Sequence, residues 1–527
     1  MKCKRLIAFI FVLFIFIALS ACNNESDVST DPEDSDDSTN NQNNKLVVAM
    51  HATIPTLDPH MSVGSETHYL GRHIFETIVA LDENYIAVPH LAESVDVSDD
   101  NMTYTFHLRE GVKFHNGKEM KAEDVVASLN RWIERASMAY DYLGHVTFEE
   151  LDEYTVGLEL DRPVNGALEI LAMEKQFGAI MPKEVIESAE EDGVTEFIGT
   201  GPFKFEEWKK SQYVHMKRFE DYSPVDSPPS GLSGKREALV DDLYFEIVTD
   251  SSTRLVGLQT GEYDIGIAMS YDDYEDVVND SNLEPVMFKE GYLNFIYNKK
   301  EGIMSDSKMR QAVNAAIDSE EILLASFGSE EIFSLDPGYM GSEMANWYTD
   351  VGKEAYNQAD PEKAKQLAKE AGYDGEEITI VSTREYEYWY NATIVLKQQL
   401  DEAGFNTNLE VYDMSTYQDV REDPGVMDIY ITGTTLGATP SSLLPLTTGY
   451  PGWTDDDRIS DALENILLAE SQDDAFEYWE ELQEFLWLDY LPSSIVGTYD
   501  FFSVKTDKVD GYTVFAGPNL WNTSVSE

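Results

Sequence analysis

The sequence predicts a large α/β protein with more than one lobe, and three observations carry that reading. Short runs rich in β-branched and aromatic residues alternate with amphipathic helical segments, with no fixed-period repeat. The chain has 527 residues, 42% of them apolar and 12% aromatic, which is ample for a large core and too long for one simple domain. Its only cysteines, Cys3 and Cys22, stand at the N-terminus, so no disulfide framework and no Cys-based metal or nucleophile site shapes the remainder.

The first element is an export signal. Lys2, Lys4 and Arg5 precede the 14-residue apolar run Leu6 to Leu19, and small residues lead into Cys22. That run is too short and wrongly flanked for a membrane span. Leu19-Ser20-Ala21-Cys22 resembles the lipobox of bacterial lipoproteins. The resemblance implies a signal peptide over 1–21, cleavage before Cys22, and lipidation of its thiol by diacyl (palmitate-type) chains. The protein would then be extracytoplasmic, anchored to the outer face of the bacterial cell membrane. An ordinary secreted protein cut before a cysteine is the competing reading. Residues 22–44 supply a tether: Asn, Ser, Asp and Glu dominate, with one valine and no aromatic after Cys22. Such a stretch cannot bury enough apolar surface to offset its ordering entropy and is expected to be disordered.

The elements that follow are punctuated clearly. Strands are expected at Lys45 to Met50, Thr103 to Leu108, Thr155 to Leu160, Tyr244 to Thr249, Leu293 to Asn298, Ile378 to Ser382, Asn408 to Tyr412 and Asp428 to Thr432. A helix opens at Asp360-Pro361, as N-cap and first-turn proline, and closes at Gly372. Others are expected at about Glu123 to Trp132, Tyr388 to Ala403, Asp456 to Glu470 and Asp474 to Tyr490, where apolar residues recur three and four apart. Gly199-Thr200-Gly201 has the glycines of a phosphate loop, but Pro202 and the strand-like Phe203 to Trp208 follow it. A phosphate loop must lead into a helix N-terminus, so this is read as a tight turn between lobes.

Charge narrows the function. Ninety-nine carboxylates against 37 cations give a net charge of −62, which excludes nucleic acid as a natural partner. The acids are spread along the chain rather than blocked. They read as a solvated halophilic surface whose self-repulsion salt would screen, with an acidic groove for cations as the competing reading.

Ordered motifs then point to a family. Leu57-Asp58-Pro59 comes first, then Ile74-Phe75-Glu76-Thr77-Ile78-Val79 and Pro89-His90-Leu91-Ala92-Glu93-Ser94. The run Thr103 to His115, Ala122-Glu123-Asp124-Val125-Val126, Gly199-Thr200-Gly201-Pro202-Phe203, and Met309-Arg310-Gln311-Ala312 through Ala316-Ile317-Asp318 follow. Their order and spacing resemble the family 5 extracellular solute-binding proteins, the dipeptide, oligopeptide and nickel group of ABC importers. The resemblance implies a two-lobed periplasmic-binding-protein-like fold of the large, three-subdomain type, with a hinged ligand cleft. Lobe 1 is expected to be discontinuous, over 45–74, 196–288 and 499–527, with an accessory subdomain at 75–195; lobe 2 covers 289–498. Crossovers fall near Phe288-Lys289-Glu290-Gly291 and Gly497-Thr498-Tyr499, whose glycines either serve as hinges or end strands.

No catalytic motif is present: G-x-S-x-G, H-E-x-x-H and P-loop patterns are all missing, and so many acids make any carboxylate pair uninformative. The nine histidines are scattered; His68 and His73 lie five apart and His60 falls in a loop, so no metal site or cofactor is expected. The expected activity is binding, not catalysis.

Ligand contacts follow from the resemblance. Arg384, in Thr383-Arg384-Glu385-Tyr386, resembles the arginine that clamps a ligand carboxylate in dipeptide binders; its bidentate, always-charged fork suits that task. Pairing with Glu385 or Glu387 is the alternative. Tyr386, Tyr388, Trp389 and Tyr390 cluster beside it, some facing ligand and some core. Ser65 and Glu66, in Gly64-Ser65-Glu66-Thr67, fall where family members touch the ligand backbone. Glu66 pairs with a ligand ammonium or caps the helix beginning there. Peptide-binding relatives carry a Gly-Trp stretch and an amine-anchoring aspartate where this chain reads Thr432-Gly433-Thr434-Thr435-Leu436-Gly437-Ala438-Thr439-Pro440. Both Trp and Asp are missing, leaving Thr435 as a candidate contact. A buried ammonium without a carboxylate would cost several kcal/mol. Either another acid such as Glu66 substitutes, or the ligand is not a short peptide with a free amine. The partners implied are a peptide or small-molecule ligand, ABC permease and ATPase subunits, and the membrane through the N-terminal lipid, with the receptor itself a monomer. A nickel chelate or oligosaccharide as ligand, a surface hydrolase, and a sensor are the other readings.

Overall fold

The computed structural model describes residues 44–435, 437 and 439–526. The expected signal sequence, Cys22 and all but the last residue of the expected tether lie outside them. β1 (Lys45–Met50) comes first. β2 (Val79–Leu81) and β3 (Ala87–Pro89) form a hairpin. β4 (Ala92–Val97), β5 (Thr103–Leu108), β6 (Phe148–Asp152) and β7 (Thr155–Glu159) build a separate antiparallel sheet ordered β4-β5-β7-β6. In β5 the alternation anticipated from TYTFHL buries Tyr104, Phe106 and Leu108 on one face, against the helix Ala122–Arg135 and its buried Trp132.

The central sheet joins β1 to ten further strands: β8 (Phe203–Lys209), β9 (Tyr213–Arg218), β10 (Asp242–Ile247), β11 (Ile265–Gly266), β12 (Leu283–Tyr297), β13 (Phe333–Ser334), β14 (Glu377–Thr383), β15 (Asn406–Tyr412), β16 (Ile429–Thr435) and β17 (Ser493–Thr506). Its order is β15-β14-β16-β12-β17-β11-β1-β10-β9-β8, with β13 beside β17. Parallel pairs (β1 with β10, β14 with β15 and β16) reflect helical crossovers on either side. β12 and β17 are the longest strands, at 15 and 14 residues, and run antiparallel down the middle. The two halves of the sheet are joined through this ribbon: β17 pairs with β11 at Ile265 and Lys505, and β12 pairs with β16 from Gly291 to Tyr297.

Gly291 and Gly497 lie inside this ribbon, so the strand-ending reading is corrected. A Cβ on Gly291 would collide with the Thr434 carbonyl oxygen, and one on Gly497 would come within 2.6 Å of the Ser334 carbonyl oxygen. Close backbone approach requires both glycines. Gly199 and Gly201 are needed for the same reason, packing on the Ile74 and His73 carbonyls at the end of α1 (Ser65–Ile74).

Helix punctuation follows the sequence closely. Asp360 accepts from the Lys363 N–H at 2.9 Å and Gly372 turns at φ +87° after Pro361–Glu370. The helix expected from Asp474 starts earlier, at Gln472, because the Ser471 hydroxyl caps it. It also ends earlier: Leu486–Tyr490 widens into a π-helical turn, whose freed carbonyls are taken by Arg310 and Gln311.

Candidate functional site

β1 ends one residue before His51, α1 begins at Ser65, the β12/β17 ribbon passes between, and the helix Glu387–Glu402 starts on the far side. These ends surround a cavity of about 750 Å³. Ser65, Glu66, Arg384, Tyr386, Tyr388 and Trp389 all line it, so residues more than 300 positions apart in the chain meet in one space. Thr435 does not. It ends β16 opposite Gly291 and lines two neighbouring hollows, of about 40 and 370 Å³, the larger walled by Ile170, Met173, Leu443 and Leu444.

Arg384 leaves the end of β14 and stacks over Tyr390, guanidinium carbon 3.8 Å from the ring centroid, with Nη2 donating to the Tyr390 hydroxyl at 2.5 Å. The expected competing pair with Glu385 or Glu387 does not form; Glu385 instead accepts from the Met414 N–H at 2.8 Å. Among the described residues Arg384 pairs with no carboxylate, and its fork stays exposed to the cavity. Helical geometry sorts the aromatic cluster. Trp389 is 7% exposed and Tyr386 is 43% exposed, while Tyr388 is half-buried against Tyr499, Phe327 and Tyr271 at centroid distances of 5.6, 5.5 and 5.7 Å. Burial pushes the Tyr388 and Tyr499 hydroxyls above their ordinary range, so both stay protonated. The Trp389 indole N–H sits at the cavity wall beside Gly433.

Glu66 does not cap α1. Gly64 holds the N-cap position without a side-chain bond, and Glu66 lies 3.3 Å from His51 Nε2. Burial, followed by the charge of Arg254, lowers His51 to about 4, so that contact is to a neutral imidazole; burial also raises the Glu66 carboxyl.

Several wall residues carried no functional signal in the sequence. Tyr271 and Phe501 belong to none of the motifs singled out in the sequence. Tyr499 and Glu290 appeared only as members of the crossover runs, although an acid within an apolar strand is itself a cue. His60, His68 and His73 are all buried core groups, and among the described residues no group of three His, Cys, Asp or Glu is placed to hold a metal ion.

The model of the bacterial extracellular solute-binding proteins, family 5 (middle region), matches residues 87–454. A probable peptide ABC transporter periplasmic-binding protein of Sinorhizobium fredii is 29% identical over 483 residues, covering 87% of this chain and 89% of the relative. The glutathione-binding protein of Escherichia coli is 27% identical over 379 residues, covering 70% of this chain and 69% of the relative. Among solved structures, the ABC transporter substrate binding protein CtaP of Listeria monocytogenes superposes with a TM-score of 0.80 at 23% identity, covering 92% of this chain and all of that one. The oligopeptide-binding protein AppA of Bacillus subtilis, in complex with a nonapeptide, gives 0.72 at 20% identity over 92% and 99%. Both share the two-lobed α/β architecture.

Proposed function

From the premise that the chain belongs to the family 5 bacterial extracellular solute-binding proteins, we propose that it is the lipid-anchored receptor of a peptide-type ABC importer. It captures a peptide or peptide-like solute in the 750 Å³ cleft and delivers it to a membrane permease. The observation that carries this reading is Arg384: an unpaired guanidinium, pre-set by Tyr390, facing a cavity with an aromatic wall. A planar cation of this kind takes a carboxylate bidentately, and the rings accept varied side chains. The names of relatives that bind peptides or glutathione support the same ligand class. Closure would turn on Phe288–Gly291 and Gly497–Tyr499, between the lobes at 45–74, 196–288 and 499–527 and at 289–498, with 75–195 as accessory subdomain.

The test is calorimetric titration of the purified protein with a pooled library of di- to pentapeptides, followed by mass spectrometry of the bound fraction. One-to-one binding with peptides recovered intact is expected; peptide cleavage, or no binding, would sink the reading. Anchoring is tested separately. Cys22→Ser is expected to leave the precursor uncleaved or free the protein into the medium, and unchanged membrane retention would refute it.

A further inference from the structure

The ribbon that joins the two halves of the sheet is irregular at one point inside the cleft. Lys289 pairs with Asp500 and Gly291 with Tyr499, so Glu290 is the extra residue of a β-bulge. Bulges re-aim side chains, and this one turns Glu290 into both the main cavity and the small hollow beside Thr435. Glu290 is half-buried, and no hydrogen bond or ion pair holds its carboxylate among the described residues.

Three of the surrounding cations are engaged elsewhere. Lys289 lies 3.3 Å from Asp500 and 3.6 Å from Glu343. Arg72 donates to the Phe515 and Ala516 carbonyls, and Arg254 to those of Val248, Thr249 and Ala268. Lys175 faces Glu290 across the small hollow without forming an ion pair. The other titratable groups around it are acids, phenols and one histidine that burial keeps neutral: Glu174, Tyr69, Tyr85, Tyr271, Tyr388, Tyr499 and His68. Tyr271, Tyr388, Tyr499 and Phe501 also form a connected set of rings on the same wall. A free carboxylate beside π faces is the chemistry that recognises an organic ammonium.

We propose that Glu290 is the cleft's ammonium acceptor, so that Arg384 and Glu290 hold the two ends of a zwitterionic ligand. The proposal rests on the peptide reading above and goes further by naming the end that Glu290 holds. Burial, partly opposed by Lys175, lifts the Glu290 carboxyl to about 7. A ligand ammonium favours the ionised form, so binding below that pH expels a proton, and affinity climbs as pH rises toward about 7.

The experiment compares the peptide pool with its N-acetylated counterpart on the wild type, Glu290→Gln and Glu66→Gln. It also compares binding heats at pH 6 in two buffers of different ionisation enthalpy. Wild type is expected to prefer free amines at least tenfold and to release a proton on binding. Glu290→Gln is expected to lose both behaviours while still binding the acetylated pool as wild type does. Its ligand-free melting temperature should be unchanged or higher at pH 8, since an unpaired half-buried carboxylate is removed. Equal binding of the two pools by wild type overturns the proposal and leaves the peptide reading intact. So does loss of the preference through Glu66→Gln instead of Glu290→Gln. Failure of either pool to bind wild type overturns both.

Discussion

Two sets of charged groups are treated in opposite ways. Behind the cleft, Arg131 grips Asp58 with both guanidinium nitrogens, at 3.3 and 2.6 Å, and donates to His60 Nδ1 at 2.9 Å. Nearby, Glu76 accepts from His90 at 2.9 Å and from the Tyr222 hydroxyl at 2.7 Å, with Arg236 3.9 Å away. Burial pushes Glu76 up, but His90, Arg236 and Tyr222 outweigh it and bring the carboxyl down to about 2. In the cleft, by contrast, Arg384 and Glu290 have no opposite charge in contact. Paired buried ions lock a scaffold, whereas unpaired ions facing a cavity leave their interaction free energy for a ligand.

The largest effect expected from this contrast is acid lability of the scaffold. Burial holds His60 at about 4, and His68 and His73 at about 3. Two of them have no room for a second proton. His60 Nδ1 accepts from Arg131 while Nε2–H donates to the Ala179 carbonyl, and His73 Nε2 accepts from the Leu520 N–H while Nδ1–H donates to the Tyr69 carbonyl. Because these pKa values are depressed, the stability they confer is whole above about 6.5 and is lost as pH falls toward 4 and 3. Three such groups lose about 4 kcal/mol per pH unit in sum, enough to unfold a domain within two units. Denaturant melts from pH 7 to pH 4 should show that slope; a flat profile would break the argument.

A smaller effect sharpens the comparison directly. Asp58→Asn, which strands a buried guanidinium, should cost about 3–5 kcal/mol of stability and leave the affinity of the remaining folded protein unchanged. Arg384→Ala should do the reverse, leaving the ligand-free melt nearly untouched and weakening peptide binding roughly tenfold to a hundredfold. If both variants moved the same observable, the distinction between scaffold and cleft charges would fail. Smallest is the effect of salt on the net charge of −62: ligand-free stability should climb as NaCl rises to molar levels, with a flat or falling curve refuting a salt-adapted surface.

Much of the fold was legible locally. β5 and β1 occur at their expected limits, and the helix Pro361–Glu370 is bounded by Asp360 and Gly372, because alternation, caps and turn residues act within a few positions. The sixteen-residue helix after Arg384 was visible too, to within a residue at each end. What could not be read was the ribbon. Leu293 to Asn298 was expected as a short strand, yet it is the last third of a 15-residue one, since the preceding residues are held by long-range pairing with β17 rather than by their own pattern. The bulge at Glu290 follows from that pairing and leaves no trace in spacing.

The sequence by itself determined the locally punctuated elements, the family, and which residue types stand near the start of α1 and of the helix after Arg384. Those depend on side-chain periodicity and capping, which are properties of neighbours in the chain. Only the tertiary structure decided that Arg384 is unpaired, that Glu66 leans on His51, that Thr435 lies outside the main cavity and that Glu290 faces into it. Whether a charge is satisfied depends on groups brought within a few ångströms from hundreds of residues away, and no local pattern records that distance.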